Sequence, residues 1–321
     1  MSPPTDLAPI PPSLSIVVPI YNEAECFGAL LARLLALAPT LPGATLEIIF
    51  VNDGSSDGTD LLLEDAARAH PMVRVLHFSR NFGHQAALTA GFDHANGDYV
   101  CIIDADLQDP PEIIPDMLAR AREGFDVVYG QRRQRAGESW FKKASAALFY
   151  RLLSGICRVK IPVDAGDFRL VSRRVVTAFR RVREPHRFIR GLVPWVGFRS
   201  TAFLYDRHER FAGQTKYPLS KMVRFAMDAI LSFSNVPLRI SAYIGLGMTC
   251  FSAIGIVIMV YLRLFTTFTV PGISLVICLI LLTGGVQFII LGLLGEYIGR
   301  IFEQGKHRPL YIVASSANLD S

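Results

Sequence analysis

From Leu14 onward, short β-rich apolar runs alternate with stretches whose apolar residues recur at helical spacing. "LSIVVPI" reads as a buried strand, Glu25–Leu37 as a helix and "LEIIFVND" as a second strand. Thr59–Ala69 is helical, "VRVLHF" a third strand, Gln85–Ala95 helical again, "DYVCIIDAD" a fourth strand and "DVVYGQR" a fifth. Strands that alternate with helices predict an α/β domain on a largely parallel sheet covered on both faces. Ligands of such sheets gather beyond the carboxyl ends of the strands. "VPIYNE", "VNDGSSDGT" and "DADLQ" each sit where an apolar run gives way to polar residues, so these three ends together predict a binding crevice.

The pattern changes after Gln131. Ser139–Leu153 is basic and aromatic with a partly helical apolar face. Pro218–Leu238 puts Met222, Phe225, Ala226, Ile230 and Phe233 on one face and Lys221, Arg224, Asp228 and Ser232 on another. Large aromatics beside basic residues predict a helix lying in a membrane interface. Ile240–Leu262 and Ile273–Leu294 are each long enough to cross a bilayer, which takes about 20 apolar residues. The short link "RLFTTFTVPG" makes them an antiparallel hairpin. Arg300, Lys306 and Arg308 follow the second span, against only Arg263 in the link, so the positive-inside rule puts the large domain and the tail in the cytoplasm. The start, "MSPPTDLAPIPPS", has neither the basic opening nor the apolar centre of a signal peptide. The expected layout is a flexible lead over 1–13, a cytoplasmic domain over 14–217 and an interface helix over 218–239. Two transmembrane helices within 240–296 and a cytoplasmic tail over 297–321 complete it, making a multi-pass protein of the inner membrane.

Charge sharpens this division. Residues 1–130 hold 6 Lys/Arg against 18 Asp/Glu, whereas residues 131–321 hold 27 against 10. An acidic first half suits a cation site, and a basic second half suits an anionic partner. The five cysteines are widely spaced with no CxxC pair, which indicates free thiols rather than a disulfide framework or a zinc site.

Asp104 and Asp106 form a DxD at a strand end, and in extended backbone residues i and i+2 point to one side, so both carboxylates can face one cation. Hard oxygen ligands select Mg²⁺ or Mn²⁺, and Gln108 adds a neutral oxygen. Pro110 and Pro111 start a helix near Glu112, for which Asp109 is the expected N-cap. Asp53 can accept from a nucleobase or ribose, with Asp57 or Thr59 capping the following helix. Tyr21 can stack on a base that Asn22 and Glu23 hydrogen-bond. His70, His77 and His84 recur every seven residues but share no face, so no metal role is expected of them. A donor contact at His84 and Gln85 stays open.

"VPIYNE", "VNDGSSDGT", "DADLQDPPE" and "GQR" resemble the nucleotide-sugar-binding domain of the family-2 glycosyltransferases, whose fold is called GT-A. "DAGDFRLVSRRVV", "RFIRGLVPWVGFR", "RFAGQTKYPLSKMVRFAMDAILSFS" and "GLLGEYIGRIF" resemble the polyisoprenyl-phosphate glycosyltransferases, among them the bactoprenol glucosyltransferases and the more distant dolichyl-phosphate mannose synthases. The resemblance implies a metal-dependent enzyme that moves a sugar, with inversion, from a nucleotide donor to a lipid phosphate. UDP-glucose and undecaprenyl phosphate are the implied substrates, and the product would serve cell-surface glycan or lipopolysaccharide modification. It implies that Pro19, Tyr21, Asn22, Glu23 and Asp53 hold the nucleotide, that Asp104, Ala105, Asp106 and Gln108 meet the donor or its metal, and that Arg132 and Arg169 lie near phosphates. Arg169, Arg210, Lys216 and Tyr217 would meet the lipid phosphate. Asp167 matches a position read as a base in bactoprenol-type relatives; orienting Arg169 is the alternative. The implied partners are the sugar nucleotide, the lipid, the membrane and further copies of the chain, with no nucleic acid. A processive polysaccharide synthase would carry QxxRW and more spans, neither of which is present. A non-catalytic tethered binder is the third reading.

Overall fold

The computed structural model describes residues 13–41, 44–133, 165–185, 187–206, 236–265 and 272–319. The chain divides into two units, one holding the residues up to about 223 together with 309–321, the other consisting chiefly of 224–308. The lead over 1–12, the basic segment Ser139–Leu153, and Arg210, Lys216 and Tyr217 lie outside the described residues, as does most of the expected interface helix.

The first unit is built on strands β1 (Leu14–Ile20), β2 (Leu46–Asn52), β3 (Val73–Phe78), β4 (Tyr99–Ile102), β5 (Val127–Arg132), β6 (Ala165–Ser172), β7 (Ser200–Tyr205) and β8 (Val313–Ala317). They form one sheet in the order β7-β5-β6-β4-β1-β2-β3-β8. The central pairs β4–β1, β1–β2 and β2–β3 are parallel, as the alternation predicts. All seven residues of β1 are buried, the expected state of a parallel strand covered on both faces. Two antiparallel strands make the sheet mixed. β6 inserts between β4 and β5, and β8 pairs with β3. Neither was expected as a strand.

Helices α1 (Ala24–Leu35), α2 (Thr59–Ala69), α3 (His84–His94), α4 (Ile114–Arg122), α5 (Arg173–Arg181) and α6 (Ile189–Val196) complete this unit. α1 buries Cys26, Phe27, Leu30 and Leu34, one stripe at helical spacing, and Phe27 meets Phe50 of β2 edge-on with centroids 5.3 Å apart. α3 is held at its far end by α5. Arg180 donates to the carbonyls of Phe92 and Ala95, and Arg173 donates to those of Ala95 and Gly97. Cations on the last carbonyls of a helix also oppose its dipole. Cys26 and Cys101 are buried free thiols, in keeping with the expected absence of disulfides at these positions.

The second unit consists of two long helices, α7 (Val236–Phe265) and α8 (Ile273–Gly305). α7 overruns its expected span at both ends and α8 at its C-terminal end. Among the described residues, Leu282–Gly305 is long and apolar enough to cross a membrane. Length and composition thus support one of the two expected spans among these residues. Phe251, Ile254 and Val257 on α7 and Phe288 and Ile289 on α8 are exposed. The tail is not a free extension, because β8 belongs to the sheet of the first unit.

Candidate active site

The three polar strand ends meet as expected, and hydrogen bonds fuse two of them. Asn22, held at φ 54°, accepts the Ser56 N–H at 2.8 Å and donates its own N–H to Ser55 Oγ at 3.0 Å. The Asp57 carboxylate accepts the N–H of Ala24 at 3.1 Å, the N–H of Thr59 at 3.1 Å and the Thr59 hydroxyl at 2.6 Å. Asp57 thus ties the first turns of α1 and α2 together. Burial alone would raise its carboxyl, but these donors prevail and hold it low. Tyr21 stands exposed beside this junction, with Glu23 half-buried. Pro19 is buried within β1, just past Val17, where the β4 ladder ends, so its missing N–H leaves no gap there.

Asp53 is 3 % exposed and faces the loop that precedes α3. Its oxygens accept the N–H of Phe82 at 2.7 Å and of Gly83 at 2.9 Å. Burial raises this carboxyl despite those bonds. The carboxylate expected to read a nucleoside is therefore also a fixture of the Ser79–Gly83 loop.

The DxD is not extended. β4 ends at Ile102, the chain turns at Ala105–Asp106, and Leu107 takes φ 59°. The expectation of two carboxylates on one strand face fails because the strand has already ended. Asp106 and Ala105 are buried, and Asp106 accepts the N–H of Gln108 at 3.1 Å. Asp109 is not a helix cap. Neither Pro111–Ile113 nor α4 has a side-chain cap, and the buried Asp109 carboxylate accepts the Tyr205 hydroxyl of β7.

The centre of the site is a cluster the sequence pattern did not indicate. Ligand atoms of His84, Asp104 and Asp167 all lie within 4.8 Å of one another, with Asp106 outside that group. His84 is the first residue of α3, Asp104 follows β4, and Asp167 lies on β6. His84 Nε2 is 3.4 Å from Asp167 and 3.7 Å from Asp104. Burial would lower this imidazole, but the Asp167 hydrogen bond and the Asp104 charge outweigh it and raise it. His84, of which no metal role is expected, thus stands in a group of side chains that could hold a metal ion. Helix spacing hid it, because its partners come from two other strands.

Asp167 is 3 % exposed and held bidentately by Arg190 of α6, with Nε–Oδ1 2.9 Å and Nη2–Oδ2 2.7 Å. Burial opposes its charge, yet the His84 and Arg190 hydrogen bonds keep the carboxyl far below the usual range. A carboxylate so stabilised is a weak base at neutral pH. Asp104 is its opposite. Burial, then the neighbouring carboxylates of Asp167, Asp109 and Asp106, push it up to about 6 despite His84.

Arg169, expected at a phosphate, is 3 % exposed and turns back on its own strand, donating to the carbonyls of Gly166 at 2.7 Å and Asp167 at 3.3 Å. Burial lowers it to about 10. On β6, Asp167 and Arg169 share one face while Phe168 and Leu170 join the core on the other. Arg132 keeps a buried Nε with no hydrogen-bond partner among the described residues. Asp104 Oδ1 is likewise buried without a hydrogen-bond partner, with His84 Nε2 3.7 Å away. An acceptor-only oxygen in that state is costly unless a cation meets it, so the donors present fit a divalent ion.

A family model described as Glycosyl transferase family 2 matches residues 15–179. The chain is 48% identical over 307 residues to the uncharacterized glycosyltransferase YkcC of Bacillus subtilis, covering 96% of this chain and 95% of that protein. It is 40% identical over 300 residues to the bactoprenol glucosyl transferase of Shigella phage SfV, covering 94% and 97%. Among solved structures it is similar to the glucosyl-3-phosphoglycerate synthase from Mycobacterium tuberculosis in complex with Mn²⁺, uridine diphosphate and phosphoglyceric acid. That likeness has a TM-score of 0.48 at 19% identity and covers 68% of this chain and 76% of that one.

Proposed function

The chain belongs to glycosyltransferase family 2, and from that premise we propose that it transfers glucose from UDP-glucose to undecaprenyl phosphate, inverting the sugar carbon, at the cytoplasmic membrane face. The observation that carries this reading is the 40% identity to a bactoprenol glucosyl transferase over 94% of the chain, which takes in the C-terminal helices as well as the GT-A domain.

The site's own groups support a reaction that needs no strong base. A phosphate monoester has its second pKa near ~6, so the acceptor arrives ionised and can attack directly. Asp167 then serves as a fixed anion that orients Arg190 and His84 rather than as a proton acceptor. The divalent ion would be held by Asp104 and His84, with Asp106 and Gln108 on the adjoining turn, because Arg190 already occupies both Asp167 oxygens. Bound there, Mg²⁺ or Mn²⁺ supplies Lewis-acid neutralisation of a departing diphosphate. Arg132 offers its unpaired donor to the same phosphates. Tyr21, exposed at the crevice, stacks on the base, while Asn22, Glu23 and Asp53 shape that wall. Arg210, Lys216 and Tyr217 receive the lipid phosphate.

The test is a donor panel on purified full-length protein with undecaprenyl phosphate, read by the mass of the glycolipid. One hexose added from UDP-glucose, lost with EDTA and restored by Mn²⁺ or Mg²⁺, is expected. Nucleoside diphosphate release that ignores the lipid would overturn the reading in favour of a synthase or a hydrolytic binder.

A further inference from the structure

The segment that leaves α8 does more than extend the sheet. Ile312 accepts the N–H of Ser79 at 3.0 Å, at the start of the active-site loop. The Tyr311 ring stacks on Phe78 with centroids 5.1 Å apart and planes 14° from parallel. Phe78 in turn meets Phe82 edge-on at 5.6 Å, and Phe82 and Gly83 donate to Asp53. The Tyr311 hydroxyl donates to Asp93 Oδ2 at 2.8 Å, and Arg183 holds the same carboxylate bidentately at 2.7 and 3.0 Å. Asp93 sits at the end of α3, the helix that begins with His84. One tyrosine therefore grips both ends of the loop–helix unit that carries the site histidine.

We propose that residues 309–317 act as a strap that fixes the Ser79–Gly83 loop and α3 in register with the rest of the site, with Tyr311 as the positioning residue. The kinetic part rests on the glycosyltransferase reading; the structural part does not. An edge strand that merely covered β3 would satisfy its backbone donors without these side-chain holds on the loop.

The test uses the full-length protein in lipid nanodiscs. Amide hydrogen exchange is followed at Phe82 and Gly83, whose N–H groups bond Asp53, with β1 and β2 amides as the folding control. In Tyr311→Ala the loop amides are expected to exchange about tenfold faster while β1 and β2 stay protected, the change one charge-assisted hydrogen bond produces. Turnover should fall about tenfold with the KM for undecaprenyl phosphate unchanged, as misplacement of a site element does. Tyr311→Phe, which keeps the stack and loses only the hydroxyl, should recover part of both losses, and it carries the test if the alanine variant does not fold. Unchanged exchange at Phe82 and Gly83 in a folded variant would overturn the strap. If the wild-type protein transfers no sugar, the functional reading fails, and the exchange data still decide the strap.

Discussion

Gly54 and Gly58 allow a quantitative test of how tightly the nucleotide wall is built. Both lie at positive φ, 72° and 89°. An alanine at either position pays about 1–2 kcal/mol for the left-handed conformation, partly offset by about 0.4–1 kcal/mol from a stiffer unfolded chain. A Cβ on Gly58 meets nothing within 4 Å, so its cost ends there. A Cβ on Gly54 would stand 2.7 Å from both the Arg80 carbonyl carbon and the Asn81 nitrogen, which are backbone atoms that can only retreat with their loop. That retreat pulls on the Phe82 and Gly83 bonds to Asp53, and losing one such charge-assisted bond costs about 1.5–3 kcal/mol. Gly54→Ala should therefore cost about 3 kcal/mol and Gly58→Ala about 1 kcal/mol. At about 2–4 °C per kcal/mol for a domain of this size, the expected Tm drops are about 6–12 °C and about 2–4 °C. Both variants would be melted as full-length protein in the same detergent, with uridine diphosphate binding measured alongside. Equal melting shifts for the two would refute the view that the Asp53 turn and the Ser79–Gly83 loop form one packed unit.

Other outcomes follow from the same geometry. Asp167→Asn should lower turnover without removing an inflection of Asp167's own between about 6 and 9, since a carboxyl held far below the usual range has none there. The inflections of His84 and Asp104, both raised by its charge, should move down; an inflection lost rather than displaced would restore the base role. The same depressed carboxyl stabilises the fold above its unfolded value of about 3.9 and loses that contribution as pH falls further. Acid unfolding below about pH 4, followed by circular dichroism, should accordingly be shallower in Asp167→Asn. Tyr205→Phe removes a donor from buried Asp109 and should cost about 1–3 kcal/mol in denaturant titrations, with a loss under 0.5 kcal/mol counting against that bond. His84→Ala and Asp104→Asn should each weaken Mn²⁺ binding measured by calorimetry, whereas an equal loss in Asp106→Asn alone would shift the metal site along the turn.

Local pattern carried much of this protein. The five strands and four helices expected up to Arg132 are present, because continuous apolar runs and helical stripes are properties of neighbouring residues. The crevice was legible for the same reason, since polar residues directly after an apolar strand must emerge at its carboxyl end. Asp104 and Tyr21 could be named from their place in the chain. What the tertiary structure decided is non-local. β6 slips between β4 and β5 and brings Asp167 against His84, and Arg190 arrives from a separate helix to neutralise it. β8 returns from beyond α7 and α8 to hold the loop that supports Asp53. A strand that pairs with a distant partner, or an arginine that meets a carboxylate from another element, leaves no periodic trace in its own neighbourhood. Its place is fixed only when the whole sheet closes, and that closure turned three separate sequence motifs into one charged centre.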